Sequence, residues 1–376
     1  MDSITAAPIA GSTDAKFARV RKAFAANFAS GLEHGGGVAV FVGGKPVVEL
    51  WGGHADAAKT RAWQQDTLVN VWSCTKGVVA LAIAMLVERG KLDYSAPVAR
   101  WWPEFAAGGK EKITLDLVMS HQAGLNGLSV PMDEAGMLAW DPYVEALAAM
   151  KPLWEPGSRA VYHAISYGHL TGEILKRVDG RRIGRFVAEE IAAPLGADFY
   201  IGLPEREEPR VAEMIEGPKA SDWVPVVMKS PFPQSCMNPS LSALAPNKRT
   251  WRAAEVPGGN GQATALGLAK IYSEMATHQA GLARRETIAE AARPRVRGID
   301  ESFGGPTAFA AGFQIDSPLT GKGAFGHSGW GGSYGFADPA VGVGFAYVTS
   351  RMLGFDDGID LRRKALIEAV YACLAS

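Results

Sequence analysis

The sequence predicts an α/β (α+β) fold in which both chain ends build one antiparallel sheet, flanked by helices, with a large and mostly helical lobe between them. Three observations carry this expectation. Two β-rich runs lie before residue 54, a second β-rich group follows residue 300, and the stretch between offers helical periods but few convincing strands. The expected division is a sheet domain from 1–90 plus 301–376 and a helical domain from 91–300, with the active site in the cleft between them.

Taken in order, a polar leader precedes "AKFARVRKAFAANFASG", where Phe17, Val20, Phe24 and Phe28 recur every three or four residues and Gly31 ends the pattern. That is one face of an amphipathic helix, suited to packing on a sheet. "GVAVFVGG" and "KPVVELWGG" follow as strands, joined through Gly43, Gly44 and Pro46. "GVVALAIAML" (Gly77 to Leu86) is apolar around most of a helical circumference, and at half of the roughly 20 residues a membrane span needs it reads as a core helix. "FVAEEIAAPLGA" and "ATALGLAKIYSEMATH" are the clearest later helices, and "PEREEPR" (Pro204 to Arg210) reads as a solvated loop. The far end supplies "AFAAGFQI", "GAFGHSG", "SYGFAD" and "GVGFAYVTS", then a closing helix from Asp360 to Leu374.

Composition narrows the function. With 376 residues at 47% hydrophobic, the chain can bury a large core without staples. The 38 Lys and Arg balance 39 Asp and Glu, so no broad basic field exists for nucleic acid or an anionic membrane; a small or neutral substrate is expected. Cys74, Cys236 and Cys373 are odd in number and widely spaced, which reads as free thiols, and the leader lacks a basic region followed by an apolar stretch. A cytoplasmic protein is expected, with no metal and no cofactor. The sequence leaves the oligomeric state open, a homo-oligomer included.

The chemistry concentrates around "NVWSCTKGVVALAIAML". With 21 Ser and 16 Lys, about one Ser-x-x-Lys arises by chance, so the spacing alone decides nothing. Its setting is more telling: Ser73 falls at the start of a buried helix, where unpaired N–H groups favour a developing oxyanion. Lys76, almost one turn on, projects beside the Ser73 hydroxyl, and desolvation there favours its free amine as a base. On spacing alone, Ser73 or Thr75 could equally be a simple helix cap and Lys76 a snorkelling side chain.

Three further stretches, "VMSHQAGL" (Val118 to Leu125), "LWEPGSRAVYHAISYGHLTGEIL" (Leu153 to Leu175) and "FGHSGWGGSYGFADP" (Phe325 to Pro339), occur with "WSCTKGV" in a telling order. Together they resemble the serine β-lactamase and penicillin-binding superfamily, specifically its class C-like branch of family VIII carboxylesterases, over residues 40 to 350. The resemblance implies a β-lactamase-like fold, Ser73 as acylated nucleophile, Lys76 as its base and Tyr162 as proton shuttle. It implies an oxyanion hole of the Ser73 and Trp330 amides. His327, Ser328 and Gly329 stand where the superfamily carries Lys-Thr-Gly, and with Trp330 they would line the substrate site. His121 would be a hydrogen-bonding scaffold residue and Tyr167 a packing residue.

The departures shape the expected activity. Tyr162-His163-Ala164 lacks the asparagine of the usual Tyr-x-Asn, and His327 replaces a permanent cation with a side chain mostly uncharged at neutral pH. Both weaken lactam and peptide recognition while leaving acyl transfer intact. The expectation is a carboxylesterase acting on small esters of short to medium acyl chains, with weak β-lactamase or transesterase activity as neighbouring chemistry. A β-lactamase, a D-amino-acid peptidase or amidase, and a penicillin-binding sensor are the alternatives. Trp72 and Trp330 could form apolar walls. Gly331 to Gly335 also matches the Gly-x-Ser-x-Gly elbow, but no histidine follows Ser333 and no helix pattern succeeds it. Cys74 reads as buried filler, and His163 and His169 are badly spaced for a metal.

Overall fold

In the computed structural model, which describes residues 9–354 and 359–376, the two ends of the chain meet in one nine-stranded sheet. The N-terminal part contributes β1 (Ile9–Thr13), β2 (Gly35–Val42) and β3 (Lys45–Gly53). The C-terminal part contributes β4 (Val296–Ile299), β5 (Pro306–Phe309), β6 (Gln314–Ile315), β7 (Phe325–Ser328), β8 (Tyr334–Asp338) and β9 (Val343–Thr349). Their order is β1-β3-β2-β9-β8-β7-β6-β5-β4, and every neighbouring pair is antiparallel. The ends join where β2 meets β9, with Val38 opposite Tyr347 and Val40 opposite Phe345.

Both faces of this sheet are covered, which explains why "GVAVFV" is apolar without interruption. Val38 and Val40 join the cluster formed with α1 (Ala18–Ala29) and the C-terminal helix α5 (Leu361–Leu374), which includes Val20, Phe24, Leu366 and Val370. Ala39 and Phe41, pointing the other way, belong to the main core with α2 (Thr75–Glu88) and α4 (Ala265–Thr277). Burying a side chain such as Phe24 contributes about 2 kcal/mol. At the start of α5 the Asp360 carboxylate accepts the Arg362 and Arg363 N–H groups.

Two features differ from the expected element map. Part of the polar leader is strand β1, an edge strand paired to β3; its side chains are largely exposed, so backbone hydrogen bonding rather than an apolar pattern specifies it. The leader's residues 1–8 lie outside the described residues. The expected lobe boundary at residue 300 falls just beyond β4, and α4, inside the span read as helical, lies against β2, β8 and β9. No helix among the described residues is long and apolar enough to cross a membrane.

Candidate active site

The serine is presented by a strained turn. Val71 N–H donates to Gly261 O at 2.9 Å, and Trp72 then adopts the left-handed region with φ 47°. For a bulky residue this costs about 1–3 kcal/mol and persists only where neighbours enforce it. Thr75 enforces it: its hydroxyl donates to Trp72 O at 2.5 Å and accepts the Gly261 N–H at 2.9 Å. Helix α2 starts at Thr75, so Ser73 lies just before its first turn, partly exposed, while Lys76 is fully buried.

Lys76 Nζ lies 3.0 Å from Ser73 Oγ and donates to the carbonyls of Ala164 at 2.8 Å and Gly258 at 2.6 Å. Two N–H groups therefore have acceptors when the amine is neutral, and its lone pair is left for the serine. Burial pushes the ammonium down from the usual lysine range to about 7. The Tyr162 hydroxyl is hydrogen-bonded to Ser73, and Lys76 Nζ sits 4.8 Å from the Tyr162 ring centre. Burial also raises the Tyr162 pKa, keeping it a phenol. One environment thus disfavours both charged forms, bringing deprotonation of the lysine within reach of neutral pH and retaining the proton on the tyrosine.

Two distant sequence stretches lock Tyr162 in place. His163 N–H donates to His121 Nδ1 at 3.2 Å, Leu125 N–H to His163 Nε2 at 3.3 Å, and Ser166 Oγ to Leu125 O at 2.6 Å. His121, at φ 65°, places its ring 4.8 Å from that of Tyr162. Helix α3 (Ser166–Asp179) follows, carrying Tyr167 fully buried beneath the site. Asp300 is a residue the sequence did not single out. Its buried carboxylate accepts the N–H groups of Tyr162 at 2.8 Å, Ser302 at 2.7 Å and Phe303 at 3.1 Å.

The third stretch arrives on β7. Gly329 passes so close to the α2 entrance that a side chain there would collide with the Val71 carbonyl, which explains the glycine. Ser328 is fixed through N–H and hydroxyl to Gln314 Oε1, both at 2.9 Å. Trp330 Nε1 donates to Ala220 O at 2.7 Å. Among the described residues, neither the Ser73 nor the Trp330 backbone N–H is used in the backbone hydrogen-bond network. A cavity of about 610 Å³ opens above these groups, lined by Ser73, Tyr162, Ser328, Gly329 and Trp330 among others.

His327, expected to line the substrate site, lies one layer behind it. Its side chain is fully buried and is not among the residues lining the cavity. Nδ1 pairs with Ser328 O at 2.8 Å, and the ring stands 6.0 Å from Tyr162. Burial lowers its pKa to about 3, so it is neutral.

Over residues 21–369 the chain matches the β-lactamase family. The chain belongs to that family. It is 36% identical over 361 residues to the esterase/beta-lactamase LipL of Mycobacterium tuberculosis, covering 91% of this chain and 83% of the relative. A solved family VIII carboxylesterase superposes with TM-score 0.90 at 41% identity, covering 97% of this chain and all of that one. A penicillin-binding protein homologue from Caulobacter crescentus superposes with TM-score 0.88 at 38% identity, over 97% and 100%.

For this β-lactamase family member the competing sequence candidates find other places. Ser333 is buried at the head of β8, where its hydroxyl accepts the Thr349 N–H at 3.3 Å. Cys74 turns into the core, its thiol 3.2 Å from His327 O and its pKa pushed up to about 12 by burial. His169 packs against Trp140 and Tyr143, and no metal-holding cluster occurs among the described residues. Gly258, Asp300 and Gln314 went unread because each acts through backbone or through one distant partner. Only the turn-forming run Pro257-Gly258-Gly259-Asn260 carried a usable local signal.

Proposed function

We propose that this chain is a serine carboxylesterase working through a Ser73 acyl-enzyme. One observation carries the reading: the Ser73 hydroxyl, open to a largely apolar cavity, lies 3.0 Å from a fully buried lysine amine with a pKa near neutrality. In this reading Ser73 Oγ attacks the ester carbonyl as Lys76 Nζ accepts its proton. The amides of Ser73 and Trp330 hold the oxyanion. As the carbonyl–alkoxide bond breaks, Tyr162 O–H protonates the departing oxygen and is reprotonated from Lys76. Water then repeats the sequence in reverse, and the acid leaves.

His327 serves this reaction from behind the cavity wall, as a neutral neighbour of Tyr162. The absence of a lysine at that position removes the grip on a substrate carboxylate, which favours neutral esters over β-lactams and carboxylate-ended peptides. Three free, buried cysteines accord with a cytoplasmic setting. The test is labelling with a fluorophosphonate followed by mass spectrometry, beside turnover of p-nitrophenyl butyrate and a chromogenic cephalosporin. The adduct is expected on Ser73 and ester turnover is expected to exceed cephalosporin turnover. An adduct elsewhere would sink the mechanism, and a cephalosporin burst without ester turnover would point to a penicillin-binding sensor.

A further inference from the structure

The cavity wall holds a continuous series of aromatic rings. From Tyr162 it passes to Phe303 with ring centres 6.0 Å apart, to Trp223 at 6.1 Å, to Trp330 at 5.1 Å and to Trp72 at 4.7 Å. All five line the cavity with Ser73, and the interplanar angles lie between 52° and 82°. These are the tilted and edge-to-face arrangements that leave ring faces and edges available to another ring.

The series is assembled from five separate stretches of chain, and its members are held. Asp300 fixes the backbone of Tyr162 and Phe303 together, and the Trp330 indole is tied to Ala220, three residues before Trp223. Trp72 is locked by its left-handed backbone. A volume of about 610 Å³ is of drug-ligand size and exceeds what a short linear acyl group needs.

We propose that this series of rings is a recognition site for an aromatic ring carried by the ester, so that aryl-bearing neutral esters are the preferred substrate class. The proposal rests on the ester-hydrolase reading for its chemistry, though not for the binding itself. Charge on the wall gives a cation little net hold: Lys219 and Asp222, of opposite sign, both line the cavity, and the Asp300 carboxylate already accepts three N–H groups. A neutral ring needs no countercharge, only the faces and edges these rings present.

The experiment compares benzyl acetate with heptyl acetate, which carry seven-carbon alcohols, by pH-stat. A preference of about tenfold in kcat/KM for the benzyl ester is expected from two or more ring contacts. Trp223→Leu and Phe303→Leu, at positions only partly buried, are each expected to pull the ratio toward unity. An equal or reversed ratio in the wild type, or a ratio insensitive to both substitutions, overturns the proposal. So does a preference for acetylcholine over both.

The unreactive ketones 4-phenylbutan-2-one and decan-2-one, followed by tryptophan fluorescence, separate the two readings. Tighter binding of the phenyl ketone without turnover of any ester would keep the aromatic site and discard the esterase. Ester turnover with no preference for the phenyl ketone would do the opposite.

Discussion

Two lysines in this chain are fully buried, and comparing them separates chemistry from architecture. Lys110 donates to the carbonyls of Ala107 at 2.6 Å, Ala148 at 2.9 Å and Met150, and burial lowers its pKa to about 8. Lys76 also meets two carbonyls, and burial lowers it to about 7. Their environments are alike except at the third position. There Lys110 has another carbonyl, which can only accept, while Lys76 has a hydroxyl that can give up a proton and faces a cavity. A depressed pKa therefore does not mark a catalytic group by itself. Its partner and its access do.

The comparison breaks most severely if the partner is removed. Ser73→Ala is expected to lower kcat/KM for p-nitrophenyl butyrate by about 10⁴–10⁶-fold, with the thermal unfolding profile retained. Lys76→Met follows, with a loss of about 10³-fold or more in the acylation rate measured by stopped flow. Tyr162→Phe keeps the ring but removes the hydroxyl of the proposed shuttle, and a fall of about 10²–10⁴-fold in kcat is expected.

Lys110→Met tests the other side. It strands buried carbonyls and should lower unfolding stability by about 2–4 kcal/mol in urea titration while leaving kcat/KM unchanged. Lost activity in the folded Lys110 variant would erase the distinction.

The smallest effect is the pH profile. Below about 7 the Lys76 amine is protonated and has no lone pair, so kcat/KM should fall tenfold per unit as pH drops, and level off above. His327, lowered to about 3, and the raised Tyr162 phenol cannot supply that limb. A limb centred near 5 would assign the base elsewhere.

Much of this was legible because it is local. The 3.6-residue spacing of Phe17, Val20 and Phe24, the hairpin glycines at 43 and 44 and the apolar run from Gly77 to Leu86 each encode one element's buried face. Strand β1 stayed hidden because an exposed edge strand needs only backbone pairing. Among site residues, Ser73 and Lys76 are readable as one helical turn, and Tyr162 through the stretch around it. That His327 is buried behind the cavity lining was not readable. On a strand, a residue's face depends on what covers each side, and here both sides are covered.

Sequence alone thus determined most of the elements, the pairing of serine with lysine on one turn, and the loss of a fixed cation in the third stretch. Periodicity and residue charge are properties of neighbours in the chain. Tertiary structure decided that the lysine is dry, that Asp300 anchors Tyr162, and that five rings from separate segments line one cavity with the serine. Desolvation and ring contacts depend on groups up to 258 residues apart, counted from Trp72 to Trp330, and no local pattern records them.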